Sequence, residues 1–342
     1  MTVRLSDLTT LGLGGPAGRL VDATTEDELV AEVRAADRGG EPVLVVAGGS
    51  NLVVSDAGFT GTVVRILTRG IEAKGHAITV AAGESWDAFV AGTVERGASG
   101  IECLAGIPGS VGATPIQNVG AYGQEVAETI TSVRVLDRRS GAIAELKADA
   151  CGFSYRSSAF KREPGRWLVL AVTFALEPAE TSRPVRYAEL ARPLGVSVGA
   201  TAPLADVREA VLGLRRGKGM VLDIADPDTA SAGSFFTNPV LSAEAYAALQ
   251  ARSTAPPPGW PEPDGRVKTS AAWLIEQAGF KRGEGDPDGI AISTKHVLAL
   301  TNRGHGTAAE LLSFARRIAA GVRETFGVEL VPEPVLVGLD WP

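Results

Sequence analysis

The feature that most constrains the fold is a glycine-rich segment, residues 106–123, with the sequence GIPGSVGATPIQNVGAYG. It contains five glycines and two prolines, a composition that neither a helix nor a strand tolerates. It lacks the G-K-[ST] ending of a P-loop and the G-x-G-x-x-G order of a dinucleotide-binding turn. Because long irregular segments inside compact domains are usually functional, we expect this one to approach a large ligand closely.

Four shorter segments also carry groups suited to binding. Residues 48–51, Gly-Gly-Ser-Asn, follow an apolar run, and consecutive glycines there can point backbone N–H groups at phosphate oxygens. Arg156 beside Tyr155 suits a bidentate carboxylate contact. Residues 233–239 enclose a serine among aromatic residues, and Glu333 lies between two prolines. On local evidence, an ordinary turn or a solvated side chain is the favoured interpretation of each of the four.

The composition excludes several classes of protein. The chain has 342 residues, 45% of them hydrophobic and 21% charged, which indicates a globular protein of two or three domains. A net charge of −7 argues against non-specific binding to nucleic acid. No apolar run reaches the roughly 20 residues of a membrane span, and residues 1–13 do not resemble a signal peptide.

Cysteine and histidine are scarce. Cys103 and Cys151 form no C-x-x-C motif, and the three histidines are scattered, so neither a disulfide framework nor a metal site is expected. These features predict a protein of the reducing cytoplasm, without metal and without membrane insertion.

Periodicity and turn residues predict an α+β protein. Predicted helices cover residues 26–36, 84–96, 204–216, 269–278 and 307–326. Predicted strands cover residues 43–46, 63–67, 78–81, 132–137, 142–146, 167–176, 297–301 and 328–337. Residues 255–265 hold five prolines and are expected to form a surface loop. The composition turns polar around residues 177–186, which predicts two parts, 1–178 and 179–342.

Taken in order, these segments resemble the UDP-N-acetylenolpyruvoylglucosamine reductase (MurB) family in its type I form. The residues that carry the resemblance are Gly48–Asn51, Ile107–Ser110, Pro115–Gly123, Tyr155–Arg156, Gly233–Pro239 and Pro332–Glu333. The resemblance implies a vanillyl-alcohol-oxidase (PCMH-type) FAD-binding region of two subdomains within residues 1–178. It also implies an α+β substrate-binding domain within residues 179–342, whose C-terminal strand returns to the active site.

The resemblance implies the activity of a UDP-N-acetylmuramate dehydrogenase. NADPH would reduce non-covalently bound FAD, which would then reduce UDP-N-acetylglucosamine enolpyruvate in peptidoglycan precursor synthesis. The partners expected are these two substrates, with no nucleic acid, and the protein is expected to be a monomer. The cofactor-binding residues implied are Gly48, Gly49, Ser50, Asn51, Pro108, Gly109, Ser110, Gly112, Asn118, Gly120, Tyr122 and Gly123.

The resemblance also assigns catalytic roles. Hydride addition builds negative charge on the substrate, which Arg156 and Glu333 would stabilise, while Ser234 would protonate the carbon. A bare carboxylate repels an enolate, so Glu333 would be either protonated or acting through Arg156.

Five further residues match the family's nucleotide-sugar contacts. They are Tyr187, on a loop that closes over the substrate, and Lys218, Asn238, Lys281 and His296. For each lysine, a solvated surface charge is the alternative. The stretch from Lys218 to Ser234 looks longer than is usual in the family.

Two other functions fit the same scaffold. One is an oxidase of a small alcohol with oxygen as acceptor, for which Ser234 and Glu333 would have no purpose. The other is a flavoprotein that only senses a nucleotide sugar. The presence of Arg156 together with Ser234 and Glu333 argues against it.

Overall fold

The computed structural model describes residues 3–341 of the chain. The helices are α1 (Glu26–Gly39), α2 (Trp86–Glu95), α3 (Ala159–Arg162), α4 (Ala188–Leu194), α5 (Leu204–Gly217), α6 (Ala243–Arg252), α7 (Ala271–Gln277) and α8 (Ala308–Phe326). The strands are β1 (Ala17–Ala23), β2 (Val43–Val46), β3 (Leu52–Val54), β4 (Phe59–Ile66), β5 (Ile71–Lys74), β6 (Ala77–Ala81), β7 (Ala98–Ser99), β8 (Gly120–Ala121), β9 (Gln124–Glu125), β10 (Ile130–Asp137), β11 (Ala142–Lys147), β12 (Trp167–Ala175), β13 (Glu177–Pro178), β14 (Ser231–Ser234), β15 (Val240–Leu241), β16 (Gly259–Pro261), β17 (Val267–Thr269), β18 (Ile290–Ile292), β19 (Ala299–Asn302) and β20 (Val335–Val337).

The chain divides into two compact units. The first unit contains residues 17–48 and 60–217, and the second contains residues 3–16, 49–59 and 218–341. This division differs from the predicted one in two ways. Residues 179–217 group with the first unit because α5 packs against α2 and α4, and residues 3–16 and 49–59 group with the second unit. Which part binds FAD and which binds the substrate stays a prediction.

Two sheets form the framework of the first unit. Strands β1, β4 and β2 form one sheet, with β2 parallel to β4, and the other has the antiparallel order β11-β10-β12-β6-β5. Trp86, Phe89 and Phe174 pack together in the core, with ring centroids 5.2–6.0 Å apart. The glycine-rich segment is attached to this framework, because Gly112 N–H donates to Ala82 O (2.9 Å) and Val111 N–H donates to Glu84 O (2.9 Å).

The second unit surrounds α8. Leu311, Ala315, Ile318 and Val322 are buried at three- and four-residue spacing on this helix, as its sequence period predicts. Small sheets of order β14-β19-β18 and β15-β17-β16, and the parallel pair β3–β20, accompany it.

Capping residues define both ends of α1 and α8. Thr25 and Thr307 each begin a helix, α1 and α8, with a reciprocal capping box. Gly40 and Gly327 follow those helices in the left-handed conformation. The predictions for residues 26–36 and 307–326 are confirmed.

Two predicted segments differ from the structure. Residues 259–261, predicted as loop, form the edge strand β16, where a proline is tolerated because one side of the strand needs no N–H donor. Of residues 328–337, predicted as β structure, only Val335–Val337 form a strand. Pro332 and Pro334 lack the N–H groups that a longer ladder requires.

Candidate functional site

Close backbone approaches explain three of the predicted site glycines. A Cβ on Gly48 would lie 2.8 Å from Gly109 Cα, and one on Gly112 would lie 2.5 Å from Ala82 Cβ. In the second unit, Gly49 has φ +59° and a Cβ there would lie 1.8 Å from Leu8 O. Any side chain at these positions would displace backbone, so glycine is structurally required.

Ser110 has a buried hydroxyl that the fold leaves unsatisfied. The residue is 5% exposed, and no atom of residues 3–341 forms a hydrogen bond with its Oγ. Buried polar groups in native proteins are nearly always paired, and exceptions call for an explanation such as an absent ligand. The hydroxyl lies on the glycine-rich segment, where we expected a ligand.

Backbone strain in the first unit is concentrated at predicted site residues. Within residues 3–341, the non-glycine residues with positive φ are Asn118 (+46°), Tyr122 (+48°) and Arg156 (+50°). Such conformations are uncommon outside glycine and persist where surrounding contacts enforce them, often at functional sites.

Arg156 lies at the tip of a tight turn. Ser154 and Ser157 exchange backbone hydrogen bonds of 3.0 Å at its base. The guanidinium donates from Nη2 to Gly120 O (2.7 Å) and from Nη1 to Asn118 O (3.3 Å). The strained turn and these two carbonyl groups together fix the position of the cation.

Tyr122 is protonated at neutral pH. Burial raises the pKa of its hydroxyl to about 12, although the charge of nearby Arg215 opposes the shift. The side chain can therefore donate a hydrogen bond.

Sequence reasoning missed Arg215. The residue lies on α5, its Nε is shielded from solvent, and burial lowers the pKa of its guanidinium to about 10. The group is still a cation at neutral pH, and the positive charge of Arg156 lies close enough to help lower the pKa of Arg215. Its sequence context, Leu-Arg-Arg-Gly, resembles the polar face of an ordinary amphipathic helix and gave no signal.

Tyr187 is exposed in the first unit, with 51% of its surface accessible. It precedes α4, and its ring lies against Gly123, where an added Cβ would come within 3.0 Å of ring atoms Cδ2 and Cε2. Arg186 donates to Gly123 O (2.6 Å) and to Glu128 Oε1 (2.8 Å). The structure therefore brings the predicted tyrosine to the end of the glycine-rich segment.

The second unit brings together Ser234, Glu333 and Asn51. Ser234 is the last residue of β14, and Phe235 follows it. Glu333 N–H donates to Phe235 O at 2.8 Å. Asn51 Nδ2 donates to Glu333 O (3.4 Å), and Val335 N–H donates to Asn51 O (2.9 Å). Phe235 is buried in the core of this unit, so it anchors the strand that carries Ser234.

The remaining predicted contacts lie on separate parts of the second unit. Asn238 Oδ1 accepts a hydrogen bond from Ala271 N–H (3.0 Å) at the start of α7. Lys281 is exposed, whereas Lys218 and His296 are half-buried. Lys218 precedes Gly219, which packs closely against Asp228.

Residues 3–341 contain neither a metal-binding cluster nor a helix able to span a membrane. His, Cys, Asp and Glu side chains of residues 3–341 form no group of three that could hold a metal ion. None of the helices described over this range has the length and apolar character needed to cross a membrane.

Comparison with known proteins first defines the class. The FAD binding domain profile matches residues 17–147, and the profile of the UDP-N-acetylenolpyruvoylglucosamine reductase C-terminal domain matches residues 226–337. The chain is therefore an FAD-dependent oxidoreductase with an α+β fold.

Full-length relatives narrow the assignment. The chain is 58% identical to UDP-N-acetylenolpyruvoylglucosamine reductase of Streptomyces coelicolor, over 98% of this chain and 89% of that protein. It is 55% identical to the reductase of Thermobifida fusca, over 98% of this chain and 97% of that protein. The crystal structure of the Thermus caldophilus reductase (MurB) matches with a TM-score of 0.68 and 27% identity over 98% of both chains. The chain belongs to the UDP-N-acetylenolpyruvoylglucosamine reductase family, as its motifs predicted.

Proposed function

We propose that this protein reduces UDP-N-acetylglucosamine enolpyruvate to UDP-N-acetylmuramate with NADPH and bound FAD, in peptidoglycan precursor synthesis. The observation that carries the proposal is the 58% identity to a reductase of this name over almost the whole chain. The predicted catalytic residues all lie inside the matched length. The site of action we propose is the cytoplasm, and the functional form a monomer.

The glycine-rich segments fit a large dinucleotide. Bound FAD would supply a hydride acceptor for NADPH and a hydride donor for the enolpyruvyl carbon. The unsatisfied Ser110 hydroxyl offers a donor suited to the oxygens of such a cofactor. The residues proposed to hold it are Gly48, Gly49, Ser50, Asn51, Pro108, Gly109, Ser110, Gly112, Gly120, Tyr122 and Gly123.

Arg156 is proposed to stabilise the negative charge that develops on the substrate. Its guanidinium is already oriented by Gly120 O and Asn118 O, so little reorganisation accompanies the reaction. A planar cation also matches the carboxylate of an enolpyruvyl group bidentately.

Ser234 is proposed to donate the proton, with Glu333 supporting the charged intermediate of the substrate. An enolate carbon is a strong base, so a weak acid suffices when it is well placed. The hydrogen bond of Glu333 to Phe235 holds the two residues on adjoining backbone segments. The nucleotide-sugar contacts proposed are Tyr187, Lys218, Asn238, Lys281 and His296.

The test separates the two halves of the reaction. The purified protein is reduced with NADPH without oxygen, and flavin absorbance is followed as UDP-N-acetylglucosamine enolpyruvate is added. We expect bleaching by NADPH and recovery with the substrate, with UDP-N-acetylmuramate as the product. Rapid recovery in air but none with the substrate would indicate an oxidase instead.

A further inference from the structure

We propose that Asn118 is a positioning residue for Arg156 and not a ligand of the cofactor. Asn118 contacts the turn that carries Arg156 at both the base and the tip of that turn. This inference rests on the proposed function, because it assumes that Arg156 acts on the substrate. It revises the cofactor-binding role that the family resemblance implied for Asn118.

The side-chain amide of Asn118 is hydrogen-bonded within the protein through both its nitrogen and its oxygen. The residue is 1% exposed. Its Nδ2 donates to Glu125 Oε2 (2.7 Å) and to Ser154 O (3.1 Å), and its Oδ1 accepts from Ala127 N–H (3.1 Å). Two acceptors face the nitrogen and one donor faces the oxygen, which fixes the orientation of the amide. Both N–H groups are thus used within the protein.

Two of the contacts of Asn118 reach the Arg156 turn. The side chain binds Ser154 O, which is the carbonyl at the base of the turn that also accepts from Ser157 N–H. The backbone carbonyl of Asn118 accepts from Arg156 Nη1 at the tip. One residue therefore fixes both the backbone that carries the arginine and the end of its side chain.

The left-handed conformation makes the second contact possible. With φ +46°, the backbone of Asn118 turns its carbonyl towards the guanidinium, a conformation that asparagine tolerates better than most residues. Glycine also adopts it but has no side chain to bind the turn. Asn118→Gly therefore removes the side-chain contacts without imposing backbone strain.

The test is a double-mutant cycle with Asn118→Gly and Arg156→Lys, each half-reaction being followed by stopped-flow absorbance. We expect Asn118→Gly to keep its flavin and to be reduced by NADPH at the parent rate. Its reoxidation by the enolpyruvyl substrate should slow about 10²-fold, as expected when a catalytic group is misplaced. In the Arg156→Lys background, Asn118→Gly should slow reoxidation by less than about threefold more, because the two residues act as a unit.

A matched control is Asn302→Gly. Asn302 is also buried and joins separate segments, since it donates to Leu11 O and accepts from Gly304 and Gly306 N–H, but it lies in the second unit. Asn302→Gly should lower the free energy of unfolding, but it should not slow reoxidation more than reduction by NADPH. If Asn118→Gly does not fold, Glu125→Ala removes one partner of Asn118 and should slow the same half-reaction about tenfold.

Hydrogen exchange gives a readout that is independent of turnover. Asn118→Gly should speed exchange of the Ser157 amide, which is bonded to the same carbonyl that Asn118 holds. Equal slowing of both half-reactions, loss of flavin, or a full effect in the Arg156→Lys background would overturn the inference. A parent protein that the substrate fails to reoxidise would instead refute the proposed function, while the exchange data would still decide whether Asn118 holds the turn.

Discussion

Glu333 and Phe235 are joined by a backbone hydrogen bond of 2.8 Å from the N–H of the first to the carbonyl oxygen of the second. Phe235 directly follows Ser234 in the chain. The bond therefore places Ser234 and Glu333, two predicted catalytic residues that are distant in sequence, on adjoining backbone segments. Because Phe235 is buried in a core, packing holds this arrangement in place.

Replacing Ser234 should separate the two half-reactions. We expect Ser234→Ala to be reduced by NADPH at close to the parent rate, because no proton donor to carbon is needed there. Reoxidation by the enolpyruvyl substrate should slow by roughly 10²–10⁴, the range for loss of a positioned acid. Stopped-flow absorbance measures both rates.

Two further variants make the Ser234 test specific. Ser231→Ala, on the same strand β14, should reoxidise normally, and Ser234→Cys should recover part of the loss because a thiol can donate a proton. Parent-like reoxidation of Ser234→Ala would assign the proton to water or to another residue.

Tyr187→Phe should weaken binding of the UDP-sugar. Loss of one hydrogen bond costs about 1 kcal/mol, and the exposed ring itself remains. Titration of flavin absorbance with the substrate measures the affinity, and NADPH reduction should be almost unchanged. Tyr246→Phe, which removes a hydrogen bond to Pro257 O in the second unit, is the matched control and should leave substrate affinity as it was. An equal loss in both half-reactions of Tyr187→Phe would indicate a role for Tyr187 in flavin binding or folding.

The flavin should be bound without a covalent link. Residues 48–51 and 106–123 contain neither cysteine nor histidine, and burial raises the pKa of Cys103 to about 12 and of Cys151 to about 11. A thiolate able to attack the ring is therefore scarce at neutral pH. Acid precipitation should release FAD into the supernatant, where fluorescence detects it. Flavin that sediments with the protein would contradict this expectation.

Asp228 should make stability depend on acid pH. The carboxylate is 3% exposed and accepts hydrogen bonds from Thr294 and from Arg303 (2.8 Å). Burial opposes ionisation, but these bonds and the Arg303 charge prevail and hold the pKa of Asp228 below its usual 3.8. A lowered pKa means that the stabilisation is present above the unfolded-state pKa and is lost as pH falls through the folded-state value.

Urea unfolding at several pH values measures this effect. Asp228→Asn should lower the free energy of unfolding at pH 7 by about 3 kcal/mol, because the half-buried Arg303 loses its counter-ion. The variant should also lose part of the acid dependence. Asp264→Asn breaks an exposed pair with Arg266 and should cost less than about 1 kcal/mol. Equal effects of the two substitutions would show that Asp228 is no more important than a surface charge.

Local sequence signals predicted the parts of the fold that local physics determines. Helices α1 and α8 follow from apolar spacing. The glycines and prolines of segment 106–123 predicted its mostly irregular course, but they did not predict the short strand β8, Gly120–Ala121. The family resemblance, and not local pattern, supplied the roles of Arg156 and Ser234.

The sequence did not predict features that depend on long-range contacts. Residues 179–217 group with the first unit because α5 packs on α2, and the edge strand β16 forms because β17 is available to pair with it. The several bonds of Asn118 join positions 118, 125, 127 and 154, which no periodicity relates.

The pairing of β20 with β3 has a consequence for synthesis on the ribosome. Residues 335–337 complete a ladder with residues 52–54, which leave the exit tunnel far earlier. The first unit has all its residues once position 217 has emerged, and domains that are complete tend to fold as units during translation. Strand β3, which directly follows Asn51, must wait for nearly the whole chain before it can pair with β20. Nascent protein should therefore acquire a protease-resistant first unit well before Glu333 is held in place.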